Sequence, residues 1–175
     1  MVATKLMTAA ELAAMPDDGD RTYLIRGELR RLPPPKMGHG VITARTVFPL
    51  QILADEGLGV VVVEGGFLLR DDPHTVIAPD GAFFLNEDLP PPGQWDYRTH
   101  VCVPTVALEV VSPSNTIRDV MEKVQEYLAA GVKLIWVAFP ETKTFMVDGA
   151  GREPVILTED DVLDGGDVLP TMRPL

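Results

Sequence analysis

The chain is poor in cysteine. Its 175 residues hold one, Cys102, which excludes an internal disulfide and any zinc site built from several cysteines. Cys102 also has no histidine close by in sequence, which argues against a cysteine nucleophile. Histidine is scarce too. His39, His74 and His100 are widely spread and do not make a compact histidine metal site. Long apolar runs are missing: none reaches the roughly 18 residues of a membrane span. The acidic amino-terminal stretch lacks the apolar core of a signal peptide. The expectation is a soluble, intracellular protein with no membrane partner. No phosphate-cradling loop is present, since Gly149-Ala150-Gly151 reads only as a turn. Positive charge is also short. Fifteen Lys and Arg stand against 26 Asp and Glu, a net charge of −11, which argues against broad nucleic-acid binding.

What is present describes an ordinary folded domain. An apolar fraction of 46% and a charged fraction of 23% are typical of one, and residues 1–175 suffice for a single domain with a sizeable core. The charge is uneven. Residues 1–45 carry seven Lys or Arg against five Asp or Glu, whereas the remainder carries eight against 21. Arg21, Arg26, Arg30, Arg31, Lys36 and Arg45 fall in that first stretch. They read either as solvated loop charge or as a local phosphate-contacting patch.

The chain is organised around residues 105–131. Val106, Leu108 and Val110 alternate with Ala107, Glu109 and Val111 as in a strand. Ser112-Pro113-Ser114 breaks it. A helix follows, with Ser114 or Asn115 as N-cap, Asp119 in its first turns and Gly131 at its carboxyl end. Its expected apolar stripe is Ile117, Val120, Met121, Val124 and Leu128, with Glu122 and Glu126 facing away. Before this unit, residues 7–15 read as a short helix with a Thr8/Glu11 capping box. Residues 21–32 read as a hairpin turning at Arg26-Gly27. Residues 39–56 read as a helix with Val41, Arg45, Phe48 and Ile52 on one side, Ala44, Val47 and Leu50 nearby, and a kink or break at Pro49. Residues 60–69 and 76–85 read as strands, the first interrupted by a bulge or tight turn at Gly65-Gly66, the second carrying Pro79-Asp80-Gly81. After the unit, 132–139 reads as a buried strand, 142–147 pairs back on it, and 154–158 is a last strand. The fold class is therefore α/β: a central mixed sheet flanked by helices, with an N-terminal β-hairpin.

Asp80 and Glu109 each sit in an apolar run. Burying a carboxylate without a partner costs several kcal/mol or shifts its pKa. A shared divalent cation explains both, because hard oxygen ligands suit magnesium or manganese. Alternatively, each reaches a strand end or pairs with an arginine. Lys123 and Tyr127 lie one turn apart on the shoulder of the helical stripe, which can look down on Glu109. A lysine there can orient water and offset charge on a phosphate, or it is an exposed residue pairing with Asp119 or Tyr127.

Several segments resemble the Uma-type restriction endonuclease family of the PD-(D/E)XK nuclease superfamily. They are YLIRGEL (23–29), LPPPKMGHG (32–40), APDGAFF (78–84), ALEVVSPSN (107–115), EKVQEYLAAGVKLIWVAFPETKT (122–144) and LTEDDVLDGGDVLP (157–170). They run in order over nearly the whole chain. The resemblance implies a restriction-endonuclease-like core and a metal-dependent DNA endonuclease in a prokaryotic cytoplasm. It implies Mg2+ or Mn2+ on Asp80 and Glu109, with the Val110 backbone carbonyl as a further ligand. The motif places a lysine at position 111, where this chain has Val111; the resemblance implies that Lys123 replaces it. Glu28, His39, Glu64 and Tyr127 are accessory candidates. Arg26, Arg30, Arg31, Lys36 and Arg45 are candidate DNA-phosphate contacts. One site cuts one strand, so double-strand cleavage implies a symmetric homodimer. Two other readings stand beside this one: a nuclease-fold chain that binds nucleic acid or a protein without cutting, and an acidic metal-binding β-barrel without nuclease chemistry, which a structure with Asp80 and Glu109 far apart would favour.

Overall fold

The computed structural model describes residues 6–16, 19–96, 100–113 and 116–170. Helix α1 (Ala9–Ala13) starts at Thr8, whose side chain accepts from the Glu11 N–H while Glu11 returns the bond, completing the expected capping box. Strands β1 (Arg21–Ile25) and β2 (Glu28–Leu32) form the expected hairpin. Arg26 and Gly27 both adopt positive φ, 51° and 78°, which gives a two-residue turn whose twist matches the strands. Helix α2 (Met37–Asp55) is followed by β3 (Gly59–Val63), β4 (Phe67–Asp71), β5 (His74–Ile77) and β6 (Gly81–Leu85). The central unit is β7 (Val106–Val110) and α3 (Ile117–Ala130), and β8 (Leu134–Phe139), β9 (Thr144–Asp148) and β10 (Val155–Leu157) complete the chain.

The strands form two sheets. One has six strands in the order β10-β9-β8-β7-β6-β3, and only β7 and β8 run parallel. The other has four, β2-β1-β5-β4, all antiparallel. The two long strands expected at 60–69 and 76–85 are each divided between the sheets. β3 lies in the six-stranded sheet and β4 in the four-stranded one, so Gly65-Gly66 is a crossing and not a bulge. Ala78-Pro79-Asp80 is the second crossing, from β5 back to β6. Asp80 therefore lies on the seam between the sheets instead of inside a strand, and Pro79 falls where no ladder bond is lost.

Three apolar clusters hold the layers together. Val106, Leu108 and Val110 face α2 through Val47, Leu50 and Leu53. Ala107, on the other face, joins Val120, Val124 and Tyr127 of α3 with Tyr23, Phe67 and Ile77 of the four-stranded sheet. α1 covers the outer face of that sheet with Ala9 and Leu12 on Leu24, Leu68 and Val76. At Gly81 the approach of α2 is so close that a Cβ would stand 2.6 Å from a Val47 methyl, so glycine beside Asp80 is what admits the helix.

Both long helices depart from expectation. The packing face of α2 is Thr43, Thr46, Val47, Leu50 and Leu53, while Val41 and Phe48 are 46% and 52% exposed. Thr46 is accommodated because its hydroxyl donates to the Ile42 carbonyl at 2.9 Å. In α3 the N-cap is Thr116, which exchanges capping-box bonds with Asp119; Ser114 and Asn115 lie outside the described residues. Gly131 ends the helix as expected, at φ 92°. Ile117 is 60% exposed, and Glu126 is buried instead of facing solvent. Among the described residues no helix is long and apolar enough to cross a membrane.

Candidate active site

Five elements converge where the sheets meet. The seam supplies Asp80, β7 supplies Glu109, α3 supplies Lys123 and Tyr127, β1 supplies Arg21, and the first turn of α2 supplies His39. The alternation of β7 turns Glu109 away from the α2 core and toward α3. Lys123 and Tyr127, at i and i+4, meet the same carboxylate. Lys123 Nζ donates to Glu109 Oε2 at 2.7 Å, and the Tyr127 hydroxyl donates to Oε1 at 2.6 Å. Asp80 is held by a second set. Arg21 Nη2 donates to Oδ1 at 2.9 Å, the Val110 N–H donates to Oδ2 at 2.7 Å, and His39 Nε2 lies 3.0 Å from Oδ2. Asp80, Glu109, Lys123 and Tyr127 are all buried. Lys123 Nζ also lies 5.0 Å from the centre of the Tyr23 ring, within cation–π range.

The acidities of the two carboxyl groups are shifted in opposite directions. Burial pushes Asp80 upward, but the bonds from His39 and Val110 and the Arg21 charge outweigh it and hold Asp80 below the usual carboxylate range. Burial dominates at Glu109. It raises the carboxyl, the nearby Asp80 charge adds to the rise, and Lys123 and Tyr127 offset only part of it. Tyr127 is pushed well up by burial and by Glu109, and Tyr23 is pushed up to about 12, chiefly by burial. Such opposed perturbation of neighbouring groups in a cleft is characteristic of functional sites.

Asp80, Glu109, Lys123, His39 and Arg21 line one small space of about 20 Å³, room for one water- or ion-sized occupant. A carboxylate offers about four lone-pair positions. Asp80 uses three and Glu109 two, so both keep unused acceptor capacity. Among the described residues no group of three or more His, Cys, Asp or Glu side chains is arranged to hold a metal ion. The donor set thus fits a hard cation that completes its shell with backbone oxygen, water and substrate, as magnesium does. It does not fit a closed all-protein cage.

Of the accessory candidates, His39 and Tyr127 reach the site and two do not. Glu28 is exposed and pairs with Arg30 at 2.9 Å. Glu64 is exposed beside the first crossing at φ 54°, where its charge is felt by Arg21. Val111 packs against the α3-side core, so the face where the motif places its lysine receives Lys123 from the helix instead. Arg21 and Tyr23 were not anticipated at the site. Their signal was the two-residue period of β1, which aligns Arg21, Tyr23 and Ile25 on one face. Much of the basic stretch is spent on ion pairs: Arg21 with Asp80, Arg26 with Glu126, Arg30 with Glu28 and Glu122, Arg31 with Asp20.

The model of the family described as Uma2, putative restriction endonuclease, matches residues 9–174. The chain belongs to that family. Its fold is also that of a solved relative, the crystal structure of a putative nuclease belonging to DUF820 from Anabaena variabilis ATCC 29413. The two share 19% sequence identity with a TM-score of 0.79, over 93% of this chain and 90% of that one. No curated protein matches the chain. Family membership supports a nuclease, with nucleic acid as its substrate. Asp80 and Glu109 line one space and the strands form two open sheets, so nothing here favours the β-barrel reading.

Proposed function

We propose that the chain is a metal-dependent endonuclease that hydrolyses phosphodiester bonds in DNA. The observation that carries this reading is the convergence of two buried carboxylates and a buried lysine on one ion-sized space. Asp80, Glu109 and the Val110 carbonyl hold Mg2+ or Mn2+. A bound divalent cation supplies Lewis acidity there, polarising the phosphate and acidifying a water. Lys123 orients the attacking water and stabilises the negative charge that develops on the phosphate. Tyr127 fixes the Glu109 carboxylate, while Arg21 and His39 fix Asp80 and keep it ionised. A double-strand cut requires two chains arranged symmetrically.

The extensive pairing of the basic stretch and the net charge of −11 favour one competing reading, a chain that binds nucleic acid without cutting it. Turnover separates the two. In Mn2+, the wild type is expected to shorten end-labelled DNA, and chelation is expected to stop it. Asp80→Ala, Glu109→Ala and Lys123→Ala, each shown to be folded by circular dichroism, are expected to lower the rate at least about 100-fold. Full activity in the Glu109 variant would refute the assignment.

A further inference from the structure

Next to the ion-sized space lies a groove of about 600 Å³, within the range of pockets that enclose small organic groups. The two adjoin, because His39 and Ser112 line both. The groove is walled mainly by apolar side chains, among them Ile42, Val111, Ile117 and Phe139. Ile117 is 60% exposed although it opens a helix with a well-buried face, so apolar area is left at the groove's lip. Lys36 also lines the groove and has no ion-pair partner among the described residues. Glu141 and Thr142 line the groove as well and offer hydrogen-bond acceptors.

This is not the lining that a duplex backbone requires. A duplex backbone is held largely by several unpaired cations, and Arg21, Arg26, Arg30 and Arg31 are already paired with acids. A nucleobase has the complementary character: a flat apolar face that stacks on side chains and a polar edge that seeks acceptors. A base can enter such a groove only if it is unpaired or swung out of the stack.

We propose that this groove holds an unpaired nucleobase next to the reacting phosphate, so that the site acts on single-stranded or locally opened nucleic acid. Lys36 meets a neighbouring phosphate, Phe139 and Ile117 contact the base faces, and Glu141 and Thr142 accept from exocyclic amines. The proposal rests on the nuclease reading, and its test separates the two.

The full chain in Mn2+ is titrated with a short single strand carrying 2-aminopurine, a fluorescent base. Competitors are its matched duplex and a fully abasic strand with the same number of phosphates. Cleavage of all three is followed in parallel. The single strand is expected to bind at least about tenfold more tightly than either competitor. Ile117→Ser, a change at an exposed position, is expected to remove most of that advantage while leaving abasic binding unchanged. Equal affinity for abasic and normal strands, or tighter duplex binding, would overturn the groove and leave the nuclease reading intact. A base preference that Ile117→Ser does not alter would place the base elsewhere and overturn it as well. Base-dependent binding without cleavage would keep the groove and overturn the nuclease reading. Neither binding nor cleavage of any strand would overturn both.

Discussion

Replacing Lys123 by methionine removes the cation from a buried carboxylate while roughly keeping side-chain length. Lys123 and Glu109 are 4% and 5% exposed and 2.7 Å apart. Breaking a buried pair from one side typically costs about 3–5 kcal/mol, because the remaining charge is uncompensated. A domain of ordinary stability, about 5–15 kcal/mol, would then be left marginal. The cost has a definite pH dependence. Burial already raises Glu109, and Lys123 is the strongest group opposing that rise. Without the lysine the carboxyl rises further above its unfolded value of about 4.3. A group raised in this way contributes full stability below its unfolded pKa and loses it as pH climbs through the folded value. Lys123→Met should therefore be less destabilised at pH 5 than at pH 8, where the unfolded chain has given up the Glu109 proton and the folded site, without the lysine, resists doing so. Urea unfolding at the two pH values measures this, with the Glu109→Gln/Lys123→Met double variant completing a cycle. At pH 8 the double variant should be more stable than additivity predicts by at least about 2 kcal/mol. A loss that is the same at both pH values, together with additive behaviour, would refute the buried-pair reasoning.

Other consequences are open to measurement. Glu126 is 1% exposed and accepts from Arg26 at 2.7 Å and pairs with Arg70 at 3.1 Å. Arg26→Ala and Arg70→Ala should each cost about 1 kcal/mol or less, and together at least about 3, since only the double variant strands the buried carboxylate; additive losses in chemical denaturation would exclude shared pairing. Asp80 is held below the usual carboxylate range, so the stability it contributes is present above the unfolded value of about 3.9 and is lost as pH falls through the folded one. Asp80→Asn should flatten the acid limb of a melting-temperature profile, and an unchanged limb would contradict the shift. Burial pushes the Cys102 thiol up to about 11, so a disulfide reagent at pH 7.5 should modify it at least about tenfold more slowly than a free thiol. Modification at the free-thiol rate would show that the thiol is not shielded.

The sequence exposed some of these features and hid others for physical reasons. Alternation over 106–110 and the capping box at Thr8 are local signals, and the structure reproduces both. The divided strands were hidden because an apolar chain that changes sheets stays apolar on both sides. Gly65-Gly66 and Pro79-Asp80 mark a break without telling which sheet follows. The α2 face was misread because apolar residues surround that helix on every side, and two of its buried positions are threonines. Glu126 reads as a solvent-facing helix residue until its partner Arg26, a hundred residues earlier in the chain, is brought against it. Arg21 was hidden in the same way. A basic residue in a basic stretch gives no hint that it meets Asp80, 59 positions later.

The central claim is that Asp80 and Glu109 hold one divalent cation. Calorimetric titration of Mn2+ into wild type, Asp80→Asn and Glu109→Gln at matched pH tests it most directly, with and without a non-cleavable phosphorothioate oligonucleotide to complete the ion's shell. The account predicts saturable one-site binding in the wild type that is lost in both variants. It also predicts that wild-type affinity climbs with pH as the raised Glu109 carboxyl gives up its proton. Binding that survives both substitutions, or no binding even with the oligonucleotide present, would contradict it.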